Sequence, residues 1–336
     1  MNIDPQAIGR VAILGSGGYI GSHLALELKR NGVEVAAYDH LTVNNVVQVL
    51  TDKGEYRDRS LRILENRINL LRDAGVDLFP TDCANYHSLS RALDIFKPDR
   101  IVHLCALSHA GRSNLDRHLS FLSTVITLKN AIDYSIGAGI KQLTFNSSSL
   151  RYGDFSGLAS EDQQLEPKGH YANNKVMAER LLISAHQVHE LPYTIIVPSA
   201  LYGPGCISRR VVQAWIENCF DVKPIQIAGN GEERIDFSYV DDVVNGIILV
   251  LSDPAALNQT FNISRGEGRS LNELAELLRE DFPELEVEHI PWDTAYPSRG
   301  GLDISKARDL LGYRPRWALE DGLAEYIAWY RDFLYA

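Results

Sequence analysis

The stretch "GSGGYIGSH", Gly15 to His23, stands between two runs of opposite pattern. Before it, "RVAIL" (Arg10–Leu14) reads as a short apolar strand; after it, "YIGSHLALELKRNG" has helical spacing and stops on Asn31-Gly32. "VEVAAYD" follows as a second strand and closes on Asp39. A Gly-rich run alone can merely turn a chain. Strand, glycine turn, helix, strand and acid together make a dinucleotide-binding unit, here with 24 positions between Gly15 and Asp39. In such a unit Gly15 permits the tight turn, Gly18 lets backbone approach a pyrophosphate, and Gly21 lets helix and strand pack closely. The pyrophosphate then meets the free N–H groups of the helix start, around Tyr19 and Ile20. Asp39 would accept hydrogen bonds from a ribose and repel a 2′-phosphate, favouring NAD over NADP; its other reading is a solvated acid closing a strand. The spacing is G-x-x-G-x-x-G, one residue longer in the first turn than the commoner form.

Outward from this unit the alternation continues. Helix-like "RSLRILENRINLLRDAG", strand-like "VDLFPTD", helix-like "YHSLSRALDIF", strand-like "RIVHLCA", a long apolar helix from about Leu119 to Ala138, and strand-like "KQLTFNSSS" follow in turn. Repeated β-α units predict an α/β fold, a Rossmann-type doubly wound parallel sheet covered on both faces. Beyond Pro198 the strands shorten and Pro, Gly and Arg become frequent. The expected division is a dinucleotide-binding domain over 1–197 with about 236–265, and a smaller C-terminal substrate domain over 198–235 and 266–336. The segment from about Thr42 to Gly75 is longer than a β-α-β unit needs, and its purpose is not legible.

Composition narrows the function. The 336 residues carry a formal net charge of −11, so the molecule should repel nucleic acid and anionic membranes, and an anionic ligand needs a local basic patch. Cys83, Cys105, Cys206 and Cys219 form no C-x-x-C pair, so neither a metal site nor a disulfide framework is expected. No apolar run approaches the ~20 residues of a membrane helix, and the expectation is a cytoplasmic protein.

Two further clusters carry chemistry. In "YANNK", Tyr171 and Lys175 share one helix face at i, i+4, where an ammonium can lower a phenol's pKa and make it a usable base and acid. "NSSSLRYG" (Asn146–Gly153) falls at the carboxyl end of the fifth predicted strand, where α/β ligands bind. A serine hydroxyl there could hold the oxygen that Tyr171 deprotonates. Each cluster alone also reads as ordinary structure, an amphipathic helix and a Ser-rich turn.

Taken together, "GSGGYIGSH", "DH" at 39–40, "TD" at 81–82, "HLCALS" at 103–108, "SSSLRYG", "YANNK", "PSALYGPG", "FSYVDDV" and "LDISKARDLLGYRP" resemble the extended short-chain dehydrogenase/reductase family, most closely its nucleotide-sugar epimerases. The resemblance implies Ser148, Tyr171 and Lys175 as the catalytic group. It implies NAD contacts at Asp39 and His40, at Asp82 and Cys83 beside the adenine, at Leu104, Ala106 and Ser108 beneath the cofactor, and at Pro198. Members that act as 4,6-dehydratases carry an Asp-Glu pair after the catalytic Ser/Thr; this chain has Ser149 and Leu150, so elimination loses and epimerisation gains. The family's diphosphate-binding Arg falls on Ile235, one place after Arg234. A one-residue slip turns a strand side chain to the other face. Arg234 is therefore one candidate for the clamp and Arg209, Arg210 and Arg299 are substitutes for it, with Ser149 also at the substrate, although each Arg also reads as a solvated surface residue. The two long apolar helices, about 119–138 and 171–189, form a dimer interface in this family, and core burial explains them as well.

The expectation is an NAD-dependent nucleotide-sugar epimerase, acting at C4 through a keto-sugar, as a homodimer and without metal. Two alternatives use the same residues: a nucleotide-sugar dehydrogenase/reductase that exchanges NAD each turnover, and a non-catalytic dinucleotide-sensing scaffold.

Overall fold

The computed structural model describes residues 3–292 and 297–335. Seven strands, β1 (Val11–Leu14), β2 (Val35–Asp39), β3 (Leu78–Pro80), β4 (Arg100–His103), β5 (Gln142–Asn146), β6 (Tyr193–Val197) and β7 (Gln259–Asn262), form one sheet. Their order across the sheet is β7-β6-β5-β4-β1-β2-β3, and every neighbouring pair is parallel. The doubly wound α/β fold read from the alternating pattern is therefore the fold observed.

Strand composition explains the burial. In β1, Val11 and Ile13 join one core cluster and Ala12 and Leu14 another, because alternate side chains leave opposite faces of a strand covered on both sides. Helix Tyr19–Arg30 buries Leu24 and Leu28 completely against the first cluster. Each such side chain contributes about 1.5–3 kcal/mol. The helix ends at Asn31, followed by Gly32 at φ 77°.

Beyond β6 the chain makes small two-stranded pairs. Leu201–Tyr202 lies against Ser238–Tyr239, Ile225–Ala228 against Val287–Ile290, Arg234–Ile235 against Arg269–Ser270, and Leu158–Ala159 against Gly301–Leu302. Helix Leu271–Asp281 starts in a full capping box between Ser270 and Glu273.

The long helix expected over about 119–138 differs in detail. It consists of Arg117–Phe121, a π-helical turn Leu122–Ile126, and Thr127–Ala138. The wider turn brings Ser123 and Thr127 to the central cavity, and the Ser123 hydroxyl accepts from the Leu107 N–H at 3.0 Å. The segment after β2, unexplained in the sequence, folds as helices Val46–Thr51 and Arg57–Asp73. Among the described residues no helix is long and apolar enough to cross a membrane.

Candidate functional site

Strand order reverses between β1 and β4, and a cavity of about 750 Å³ opens at their carboxyl ends. Every residue expected above at the cofactor and at the reacting group lines it, as do Ser149, Arg209, Arg210 and Arg299. Arg234 does not.

The Gly15–Gly21 turn forms one wall. Gly15 has φ 89°, and a Cβ there would lie 3.0 Å from the Cys105 nitrogen, so the ends of β1 and the chain after β4 meet without room for a side chain. At Gly21 a Cβ would lie 2.4 Å from the Gly15 carbonyl oxygen. Helix Tyr19–Arg30 begins with no side-chain cap, leaving its first N–H groups facing the cavity for an anion. Asp39 stands at the end of β2, its carboxylate accepting from the Gly17 N–H at 3.0 Å and the Leu41 N–H at 2.7 Å. Burial raises the Asp39 pKa; those N–H groups and Arg67 pull it back. An uncapped helix start, a glycine wall without room for methyl groups and a carboxylate one turn away fit a pyrophosphate and an adenosine ribose.

Across the cavity, β5 delivers Ser147, Ser148 and Ser149 and helix Gly169–His189 delivers Tyr171 and Lys175. The turn is fixed by Ser147 N–H donating to Ile196 O and Ser149 N–H to Pro198 O. Burial raises the Tyr171 pKa above its usual 10, while Arg210 and a hydrogen bond with Ser148 pull it back. Lys175 donates to the Asn146 carbonyl at 2.6 Å, and its Nζ lies 5.8 Å from the Tyr171 ring centroid. Burial pushes its pKa down to about 7, against the raising effect of Cys105 and Glu179. An ammonium this close to losing its proton sits where it can both stabilise a phenolate and relay a proton.

The arginines divide. Arg299 is half-buried and donates to the Ser149 hydroxyl at 3.4 Å; burial and the neighbouring Arg210 push its pKa down to about 10. Arg210 donates to the Ser108 carbonyl. Arg209 lines the cavity but is already paired, its Nε 2.7 Å from Glu217. Arg234 is corrected: strand alternation turns it outward, where it donates to Gly268 O and faces Glu273 at 3.6 Å, while Ile235 lines the cavity in its place. The lining holds Arg67, Lys175, Arg209, Arg210 and Arg299 against only two carboxylates among the described residues, Asp39 and Asp82. The basic patch demanded by an acidic chain is present.

Arg67 escaped the sequence reading. It lies in helix Arg57–Asp73, is 4% exposed, and donates to Gly17 O at 2.8 Å and to Gly205 O, tying the Gly15–Gly21 turn to the "YGPG" turn. Asn45, from the same long segment, donates to the same Gly17 carbonyl at 2.9 Å. Asn44 donates to Ala106 O and Ser108 Oγ, both at 3.1 Å. Two adjacent Asn residues after a strand were a visible turn signal; an Arg in an amphipathic helix carried none.

Known proteins resemble this chain along nearly its whole length. The uncharacterized UDP-glucose epimerase YtcB of Bacillus subtilis (strain 168) is 27% identical over 95% of this chain and 97% of its own length. A dTDP-glucose 4,6-dehydratase of Actinoplanes sp. is 26% identical over 96% of this chain and 98% of its own. Among solved structures, UDP-glucuronic acid 4-epimerase from Bacillus cereus, crystallised with UDP-glucuronic acid and NAD, superposes with a TM-score of 0.85 at 23% identity, covering 96% of this chain and 99% of that one. At that identity the superposition speaks for the fold. The model of the NAD dependent epimerase/dehydratase family matches residues 11–264, from the first residue of β1 to just past β7. With that match spanning the sheet and both walls of the cavity, the chain belongs to the NAD dependent epimerase/dehydratase family, and NAD is its cofactor.

Proposed function

We propose that this protein is a nucleotide-sugar epimerase, acting at C4 of a sugar carried on a nucleoside diphosphate, as a homodimer in the cytoplasm. The carrying observation is the chemistry of the cavity wall: Ser148, Tyr171 and Lys175 come together on it, and its carboxylates among the described residues, Asp39 and Asp82, both stand at the adenosine end. Elimination needs a further acid or base beside the reacting carbons, and the wall beside Ser148 offers Ser149 and Leu150 instead. Relatives of this chain include both epimerases and dehydratases, so this wall favours the first.

In this reading residues 198–235 and 266–336 form the substrate side. Bound NAD would supply the reversible hydride acceptor for the sugar carbinol, held by the Gly15–Gly21 turn, the start of helix Tyr19–Arg30 and Asp39. Tyr171 takes the hydroxyl proton, Lys175 stabilises the phenolate, and Ser148 holds the reacting oxygen. Arg210 and Arg299 hold the diphosphate from the side where Ile235 supplies no charge. The exposed Phe121, Met177 and Leu181 on the two long helices supply an apolar face for a second copy.

The test is proton NMR of NAD-loaded protein with UDP-, GDP- and dTDP-sugars. A C4 epimer forming without net NADH supports the proposal; NADH accumulating in proportion to product, or a deoxy keto-sugar, overturns it. Tyr171→Phe should lower turnover by about 10²–10⁴-fold with NAD still bound.

A further inference from the structure

Behind the Ser148, Tyr171 and Lys175 group lies a buried pair of charges that the proposed reaction leaves unused. Glu179 follows Lys175 by one helical turn, with its side chain 2% exposed. One carboxylate oxygen accepts from the Ser147 hydroxyl, and the other lies 3.2 Å from Arg151 Nη2. The Arg151 side chain is 7% exposed, and its Nε and Nη1 have no hydrogen-bond partner among the described residues. An apolar side chain would fill the same space with less desolvation, so a buried pair with idle donors calls for a reason.

Its position supplies one. Ser147 precedes Ser148 by one residue and Arg151 follows it by three, so a single carboxylate grips the Ser148 turn on both sides. That carboxylate belongs to the helix that carries Tyr171 and Lys175. We propose that Glu179 is a positioning residue for this group: it ties the Ser148 turn to the Tyr171 helix and supplies the negative charge that Lys175 faces, with Arg151 as the counter-charge that keeps it ionised. The inference rests on the reading of Ser148, Tyr171 and Lys175 given above.

The surroundings of Lys175 single out Glu179. From its own helix Lys175 faces Tyr171 and Glu179; from β4 and the turn after it, His103 and Cys105; from the cap of helix Val211–Phe220, Arg210. β5 contributes only the Asn146 carbonyl and the Phe145 ring, 4.9 Å from Nζ. Burial pushes the His103 pKa to about 3, so the ring is neutral, and the Cys105 thiol is raised by its contact with Cys83 and by burial, so it is neutral too. Arg210 repels the ammonium. Among the described residues Glu179 is thus the one carboxylate acting on Lys175, and it in turn faces Arg151, Ser147, Lys175 and Arg180. Burial raises its own pKa, while Arg151 and Ser147 pull it back toward the charged form.

The consequence is directional. Removing the carboxylate charge lets Lys175 lose its proton earlier, and the Tyr171 phenolate loses its support; removing Arg151 takes away the cation that keeps the buried carboxylate charged and acts in the same direction. The experiment follows the Tyr171 phenol itself, by ¹³C NMR of ζ-labelled tyrosine in the NAD-loaded protein, with Tyr171→Phe identifying the resonance. Glu179→Gln should move its titration upward by on the order of one pH unit, and Arg151→Met, which lets burial neutralise Glu179, should move it the same way by less. Arg151→Met keeps the question answerable if Glu179→Gln does not fold. An unmoved titration in the folded variants, or a downward shift in either, overturns the inference. The reading beneath it fails separately, if Tyr171→Phe retains turnover.

Discussion

Replacing Arg67 by Met removes the guanidinium while keeping much of the aliphatic stem, and the cost can be worked bond by bond. Two hydrogen bonds from a charged donor are lost, to Gly17 O and to Gly205 O. The two carbonyls fare differently. Gly17 O keeps its bond from Asn45 Nδ2 at 2.9 Å, so its loss is small. Gly205 O keeps no other partner among the described residues, and a carbonyl left unsatisfied at this half-buried place costs up to about 3 kcal/mol. Against this, a cation whose burial lowers its pKa is no longer buried, which returns part of the loss. The net expectation is about 2 kcal/mol of stability. The two turns that Arg67 joins would also come apart, so NAD affinity should fall by roughly tenfold, equivalent to about 1.4 kcal/mol. Urea denaturation gives the first quantity and fluorescence titration with NAD the second. Arg67→Lys keeps the charge but presents a point ammonium in place of a fork, and should recover only part of either. A variant Arg67→Met within about 0.5 kcal/mol of the parent and unchanged toward NAD would refute the bridging role.

Other outcomes follow from the same geometry. Arg299→Leu should weaken binding of a UDP-sugar by isothermal titration, whereas Arg234→Ala should leave it unchanged, because Arg234 faces Glu273 outside the cavity. His23 is half-buried, and desolvation lowers its pKa to about 4, against 6.5 when unfolded, so its stabilising contribution is present above pH 6.5 and is lost as pH falls toward 4. His23→Gln should flatten that acid slope by about 1.4 kcal/mol per pH unit in denaturation measured across the range. Asp236 shows the opposite case: burial raises its pKa to about 6, so its protonation favours the folded state and stability falls as pH rises from about 4 to about 6. Asp236→Asn turns an amide N–H toward Leu302 N–H, Gly266 N–H or Ser264, and should cost about 2 kcal/mol by urea denaturation.

How much was legible in the sequence depends on how locally each feature is specified. The glycine turn, Asp39 and the β-α alternation are written within a few residues of one another, and the sheet follows from them. Tyr171 and Lys175 share a helix face by spacing alone, so their proximity was readable; their nearness to Ser148 was readable only through the strand that carries it. Arg67 acts on Gly17, 50 residues away, and on Gly205, 138 away, and no periodicity encodes such a contact. Glu179 and Arg151 were invisible for a related reason: a charged residue in a helical pattern, or in a turn after a strand, reads as solvated until packing shows it buried. At Arg234 and Ile235 the sequence posed the question correctly, since a one-residue register decides which side chain faces inward, and a two-residue strand paired with Arg269–Ser270 answered it.

The helices between β2 and β3 look like an ornament on the sheet, yet they lay Asn44, Asn45 and Arg67 beneath the turns that flank the cavity. Transplanting the glycine motif into another scaffold would therefore carry the visible signature and leave its foundation behind. Anyone shortening this enzyme should trim elsewhere first.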